Sequence, residues 1–371
     1  MMTTIRVGIL SMQRIFNYGS FLQAYGLKQI ISDLGYDVQF VDYHPGETLI
    51  PPNGCTGLKR KISKGIGAFS YDAPMAEKRK FIKYKKNYAA NYYPYLGITN
   101  EMNYTPDIDT LIIGSDEVFN CVQDNTNVGF CPELFGQGTK AKNVISYAAS
   151  FGNTTIEKLQ KYDVNDKVSG WLRDFAAISV RDENSAVIVE QLTGKQPELN
   201  LDPVLMYDFI GKCDAIPKSV TETDYMILYG NSGRFTAEEC RKIREFADKK
   251  RLKVFCIGGV QNCCDRFLDC NPFEVIAYFQ NAKYVVTDTF HGTILSVITH
   301  AQFTSVEGSA GYGNSEKLTD LLRRLGLTQK ILDGLDNLES QLTESIDYAA
   351  TDKIIQNERR HTETYLREQL G

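Results

Sequence analysis

Tyr284-Val285-Val286-Thr287-Asp288-Thr289-Phe290-His291-Gly292-Thr293-Ile294-Leu295-Ser296-Val297-Ile298 divides into three parts. Residues 284–287 are a short apolar run with two β-branched valines, which predicts a buried strand. Residues 293–298 predict the opening turns of a helix. Asp288, Thr289, His291 and Gly292 lie between them. Strand, polar turn and helix form the unit of open parallel sheets, and ligands bind at that turn. A helix start offers unpaired N–H groups and a positive dipole end to a phosphate or carboxylate. Gly292 has no Cβ, so an anion can approach the backbone there. Of the four histidines, His291 is the one in such a setting, placed to give or take a proton beside a bound anion. The alternative is a packed or capping histidine.

Working outward, the same unit recurs. A strand at residues 7–12 leads to a helix over 20–34, whose stripe is Leu22, Ala24, Leu27, Ile30, Ile31 and Leu34. Gly35 stops it, and residues 38–43 form the next strand. Further strands are expected at 110–113, 144–149, 177–180, 225–229, 253–257 and 302–306. Helices are expected at 156–175, 183–191, 236–250, 273–280, 292–299, 316–325 and 351–369. Residues 44–105 are less regular, with Pro45, Pro51, Pro52 and a Lys/Tyr-rich helix near 76–88. Such a segment predicts a functional loop or mobile lid.

The chain has 371 residues, which sets a prior of two domains. The expected fold class is α/β, with two Rossmann-like doubly wound domains facing a cleft (GT-B-like) and a C-terminal helix. Residues 1–205 would be the acceptor side and 206–345 the donor side, with 346–371 packing back across both. Leu201-Asp202-Pro203-Val204-Leu205 reads as the linker.

Hydrophobic content is 43% and charged content 23%, as in ordinary soluble domains. A net charge of −5 argues against a nucleic-acid partner held by bulk charge. The local run Lys78, Arg79, Lys80, Lys83, Lys85 and Lys86 reads as the solvated face of a helix. No signal-peptide pattern precedes the first strand, and no apolar run approaches the ~20 residues that span a bilayer. A cytoplasmic protein without a transmembrane segment is expected. The nine cysteines lack paired zinc spacing and read as reduced thiols, with no metal. No GxGxxG follows the first strand, and neither GxxxxGK[ST] nor GxSxG occurs. Nucleotide cofactors, P-loop chemistry and hydrolase triads are therefore poorly supported.

Other turns carry candidate residues. In Asn17-Tyr18-Gly19-Ser20-Phe21-Leu22-Gln23-Ala24, Asn17 or Ser20 caps the helix, or Asn17, Tyr18 and Gln23 bind sugar hydroxyls. In Gly114-Ser115-Asp116-Glu117-Val118-Phe119-Asn120, two adjacent carboxylates end a strand. Asp116 accepts a hydroxyl proton there, or makes an Asx-turn or N-cap. In Ser179-Val180-Arg181-Asp182, Arg181 forks onto a phosphate or carboxylate, or pairs with Asp182. Arg234 occupies a similar place in the second domain. Lys317, after Gly313-Asn314-Ser315-Glu316, is a surface lysine unless the cleft closes over it.

Together these segments resemble the polysaccharide pyruvyl transferase family. Tyr147-Ala148-Ala149-Ser150-Phe151-Gly152, Asp202-Pro203, Thr287 to Thr293, Leu321-Leu322 and Leu325-Gly326-Leu327 complete the ordered set, from about residue 5 to 327. The resemblance implies transfer of the enolpyruvyl carbons of phosphoenolpyruvate onto a sugar. The product is a pyruvate ketal on two hydroxyls, with release of phosphate, in capsule, exopolysaccharide or cell-wall polymer biosynthesis. It implies no cofactor and no metal, and a sugar or lipid-linked oligosaccharide as acceptor, with peripheral contact at the membrane face. The histidine of the family's FHG motif falls on His291, and the arginine of its SVR motif on Arg181. Glu117, Phe119 and Lys317 stand where Gln, Trp and Arg are frequent, which bears on acceptor choice. The expected roles are catalysis by His291 and Asp116. Donor binding falls to Arg181, Arg234, Gly292, Thr293 and Lys317, and acceptor binding to Asn17, Tyr18, Gln23 and Glu117. Two other functions fit the same fold: a glycosyltransferase with a nucleotide-sugar donor, and a non-catalytic carbohydrate-binding member of a polysaccharide assembly cluster.

Overall fold

The computed structural model describes residues 5–50, 71–307 and 315–371. Pro51, Pro52, the basic stretch after them, Gly313 and Asn314 lie outside the described residues.

Two six-stranded, fully parallel sheets organise the chain. The first holds β1 (Arg6–Leu10), β2 (Asp37–Phe40), β3 (Thr110–Asp116), β4 (Asn143–Ala149), β5 (Ser179–Val180) and β6 (Glu198–Leu199), in the order β2-β1-β3-β4-β5-β6. The second holds β7 (Tyr225–Tyr229), β8 (Lys253–Ile257), β9 (Arg266–Phe267), β10 (Tyr284–Thr287), β11 (Phe303–Glu307) and β12 (Ile331–Asp333), in the order β12-β11-β10-β7-β8-β9. Each order reverses once, between β1 and β3 in the first sheet and between β7 and β10 in the second. Every residue of β3 and β7 is buried, as expected of parallel strands covered on both faces.

Local chemistry sets the helix starts beside these strands. Asn17 caps the helix Tyr18–Asp33 by accepting from the Gly19 N–H at 2.7 Å, and Gly35 ends it at φ +97°. Thr289 caps Phe290–Ile298 through the Gly292 N–H at 3.0 Å. The helix expected at 156–175 is two helices, Ile156–Lys161 and Asn165–Arg173, because the chain turns at Asp163 with φ +54°.

Two expectations are corrected. The segment read as a lid holds the helix Met75–Leu96, whose Tyr84, Tyr88, Tyr92 and Leu96 are buried at a four-residue spacing. It reaches the second sheet, where Glu77 accepts from the Phe267 N–H at 2.7 Å and Tyr84 packs on the Phe267 ring. Lys78, read as solvated, is buried over the Tyr71 ring. The presumed linker is equally firm. Leu201 to Leu205 are buried, and Pro203–Met206 is a short helix. Gly26 lies so close to the Pro203 carbonyl that a Cβ there would crowd it.

The C-terminal helix Tyr348–Leu370 ties the sheets together. Tyr365 Oη donates to the Ser146 carbonyl at 2.8 Å, and Tyr348 Oη donates to the Ala301 carbonyl. One hydrophobic core runs through both halves, and a second lies on the other face of the first sheet.

Candidate active site

A cavity of about 510 Å³ opens where the two switch points face each other. The first sheet contributes Asn17, Tyr18 and Ser20 beyond β1, Asp116 and Glu117 at β3, and Arg181 beyond β5. The second contributes Gly230, Asn231 and Ser232 beyond β7, Gly258 beyond β8, and Thr289, Phe290 and His291 beyond β10. Phe81, Tyr84, Lys85 and Tyr88 of the helix Met75–Leu96 form a wall. Another cavity, about 420 Å³, lies between β6 and the C-terminal helix. It is remote from both switch points, and its His361–Glu198 pair is exposed.

Charges meet in a chain at the floor. Arg181 is buried; its Nη1 donates to Asp202 Oδ2 at 2.8 Å and its Nη2 to Asp116 Oδ1 at 3.4 Å. Its guanidinium lies 4.6 Å from the centre of the Phe290 ring. Asp116 also accepts from Ser20 Oγ at 2.7 Å and from the Glu117 N–H at 2.9 Å. Asp116 has φ +84°, a conformation rare for a residue with a Cβ. His291 Nε2 is buried 3.5 Å from Asp202 Oδ2, and Nδ1 is the ring atom nearest to Gly19. The ring lies against Gly19, where any Cβ would overlap it.

Environment fixes the charge states. Burial alone would raise the Asp202 carboxyl, but His291 and Arg181 more than reverse this and hold it below the ordinary value. Burial alone would lower the Arg181 guanidinium; Asp116 and Asp202 hold it above. Glu117 is lowered in the same balance, with burial opposed by Lys317, Arg181 and Asn120.

The expected residues fall into two groups. His291, Asp116, Arg181, Asn17, Tyr18 and Glu117 line the cavity together. Arg181 is not an open fork, because both terminal nitrogens are bound to carboxylates; Asp182 instead caps the helix Glu183–Thr193. The other residues are not in the cavity lining. Arg234 pairs with Asp288. Lys317 is buried and donates to Glu117 Oε1 at 2.5 Å. Gly292 gives its N–H to Thr289, and the Thr293 hydroxyl bonds the Thr289 carbonyl and Ser305. Gln23 is fully buried, donating to Ser11 Oγ at 2.9 Å and the Ser20 carbonyl at 3.0 Å. Each sits near the site but is spent on the scaffold. Asn17 spends its Oδ1 on its cap, and Tyr18 its hydroxyl on the Cys270 carbonyl at 2.7 Å.

Sequence reading passed over the role of Asp202, which stood in an apparent linker, and the aromatic wall, whose four-residue spacing was a usable signal. Among the described residues no cluster of three His, Cys, Asp or Glu fits a metal ion, and no helix is long and apolar enough to cross a membrane.

A family model described as polysaccharide pyruvyl transferase matches residues 17–309, which includes every floor residue named above. The chain belongs to the polysaccharide pyruvyl transferase family. Membership implies a transferase and suggests a sugar acceptor. No curated protein matches this pyruvyl transferase family member. Among solved structures it is similar to a trehalose-6-phosphate synthase, OtsA, at 9% identity, covering 98% of both chains with a TM-score of 0.50. It is also similar to CalG4, the calicheamicin glycosyltransferase, at 11% identity, covering 100% of this chain and 99% of that one, TM-score 0.47. An O-GlcNAc transferase mutant of Thermobaculum terrenum aligns at 11% identity over 99% of this chain, TM-score 0.40, and the chain spans 62% of its length. At such identities the likeness concerns the fold, which is GT-B-like.

Proposed function

We propose that this cavity moves the three-carbon skeleton of phosphoenolpyruvate onto two hydroxyls of a sugar, forming a cyclic pyruvate ketal and releasing phosphate. The supporting observation is the position of His291, brought by the second sheet against the Asp202–Arg181–Asp116 chain of the first. The reaction adds a proton to the methylene carbon and a sugar oxygen to the neighbouring carbon. A second sugar oxygen then replaces phosphate at that carbon. Two hydroxyl protons are lost; one ends on the new methyl group and the other on phosphate. The balance requires neither a redox cofactor nor a metal.

His291 is the general acid for the methylene carbon in this scheme, with Asp202 fixing its ring through Nε2. Asp116 is the base for the sugar hydroxyl. Both its oxygens already accept hydrogen bonds, so accepting suits it better than donating. Arg181 positions the two carboxylates. The first turn of the helix Phe290–Ile298 and the chain at Gly230–Ser232 are the polar surfaces left for the donor's phosphate and carboxylate. The reading places the reaction in the cytoplasm, in capsule, exopolysaccharide or cell-wall polymer synthesis.

The test is a thermal-shift titration with phosphoenolpyruvate, UDP and GDP, followed by phosphate-release assays with sugar acceptors. A ligand at ~100 times its Kd adds about 2.7 kcal/mol of stability. Stabilisation by phosphoenolpyruvate and acceptor-dependent phosphate release support the proposal. Stabilisation by a nucleotide alone would replace it with the nucleotide-sugar glycosyltransferase.

A further inference from the structure

The proposed chemistry uses the floor of the cavity and leaves one wall unexplained. Phe81, Tyr84, Lys85 and Tyr88 line it together, because positions i, i+3, i+4 and i+7 share one face of the helix Met75–Leu96. Phe16 completes the surface, packing edge-on against Phe81, Tyr84 and Tyr88 at centroid distances of 6.1, 5.7 and 4.8 Å. Aromatic rings with one polar edge suit the alternating C–H and hydroxyl faces of a saccharide. Tyr84 is 6% exposed, and its hydroxyl is buried with no hydrogen bond of normal geometry among the described residues; the neighbouring Tyr18 hydroxyl is committed to the Cys270 carbonyl.

Charge adds a second, independent observation. The described basic side chains in the cavity lining are Arg181, His291 and Lys85. Arg181 and His291 lie against carboxylates of the floor. Lys85 has no carboxylate partner among the described residues; its ammonium lies 5.4 Å from the centre of the Phe16 ring, and the residue is exposed. An unspent cation at the rim is the complement of an anionic group on whatever extends outward from the floor. The small donor is consumed at the floor, beside His291 and Asp116. The molecule that must extend past the rim is the acceptor.

We infer that Phe81, Tyr84, Lys85 and Tyr88 form the acceptor subsite, and that Lys85 selects saccharides bearing a carboxylate or phosphate next to the ring that stacks on this wall. This rests on the proposed pyruvyl transfer for the word acceptor, but the binding itself does not require turnover.

The test is equilibrium binding, by calorimetry, of three probes to the whole chain. One is neutral N-acetyllactosamine, one a glucuronic-acid-containing disaccharide, and one an N-acetylglucosaminyl diphosphate with a short alkyl chain. Wild type should bind at least one anionic probe more tightly than the neutral one, and which one identifies carboxylate or phosphate as the recognised group. Lys85→Ala should erase about three- to tenfold of that preference, the range of a partly exposed charge pair, and Lys85→Glu should reverse it. Phe81→Ala, which removes a half-buried ring of the wall, should weaken all three. The thermal shift with phosphoenolpyruvate should be unchanged in both Lys85 variants, whose exposed site tolerates substitution. Equal affinity for neutral and anionic probes overturns the inference, as does a Lys85→Ala defect confined to phosphoenolpyruvate. Anionic preference without phosphate release from phosphoenolpyruvate would keep the subsite and overturn the reaction instead.

Discussion

The first sheet brings its charges to the cavity already paired, whereas the second brings one histidine and a polar stretch of backbone. Asp116, Arg181 and Asp202 are buried and bonded to one another, so the first wall is a fixed electrostatic frame. His291 is half-buried in the first turn of a helix and touches that frame at a single point, Asp202. The carboxylates behind the two walls differ in the same sense. Asp202 is held below the usual range, while burial pushes Asp288 above it and Arg234 offsets this only in part. A site assembled from two walls can keep its desolvated charges on one and its moving proton on the other. Preorganised charge costs no rearrangement at the moment of reaction.

The sharpest way to break this contrast is to remove the single contribution of the second wall. His291→Ala should lower turnover by roughly 10²–10⁴-fold, the worth of a positioned general acid, while the chain still folds cooperatively at a somewhat lower urea midpoint, because Asp202 loses a partner. Phosphate release within a few-fold of wild type would refute the acid role. Removing the centre of the first wall should act on stability instead. Arg181→Leu leaves Asp116 and Asp202 without the cation between them, only His291 still facing Asp202, and breaking such a buried network costs about 3–5 kcal/mol. Urea unfolding measures it. A loss below 1 kcal/mol would mean that water reaches these carboxylates and that the frame is not fixed.

Acid titration probes both walls at once. Asp202 has a folded pKa below its ordinary 3.8, so its contribution to stability is complete above that value and is lost as pH falls through the folded one. Asp288 has a folded pKa above 3.8, so the folded state binds its proton more tightly, and stability rises as pH falls through that window. The acid-side decline of the urea midpoint between pH 6 and 3 should therefore be shallower in Asp202→Asn, with Glu117 and Asp42 still contributing, and steeper in Asp288→Asn. The same slope in both variants would show that the two carboxylates share one environment.

How much of this could be read in advance follows from the range of each signal. The strand, turn and helix around His291 are written in adjacent residues, as are the caps at Asn17 and Thr289 and the stop at Gly35. Partnerships were not legible. Lys317 reads as a cleft cation, but it meets a carboxylate 200 residues away. Gln23 reads as a sugar ligand from its place after β1, but the helix turns it inward to Ser11. Asp202-Pro203 has the composition of a turn. Only the packing of Pro203 against Gly26 buries it and aims its carboxylate at Arg181 and His291. The wall on Met75–Leu96 was obscured by its lysines, although Tyr84, Tyr88 and Tyr92 repeat every four residues.

The smallest expected effect tests whether the two walls are coupled through the scaffold beneath them. The second half starts two helices with full capping boxes, at Thr236/Glu239 and Asn271/Glu274. Asn271 Oδ1 accepts from the N–H groups of Phe273 at 2.9 Å and Glu274 at 3.0 Å, and Glu274 answers by accepting from the Asn271 N–H at 2.7 Å. The first residues of that helix meet the other half. Phe273 packs edge-on against Phe21 and Tyr25, and the preceding Cys270 carbonyl holds Tyr18. Asn271→Ala should cost about 1 kcal/mol, the usual worth of an N-cap, seen as a lower urea midpoint at unchanged slope. Turnover should stay as in wild type, because Pro272 still presets the first helical turn and the Phe273 contacts remain. A fall in turnover beyond the stability loss would mean that this cap sets the distance between His291 and Asp202. The halves would then work as one adjustable body rather than a fixed frame and a separate acid.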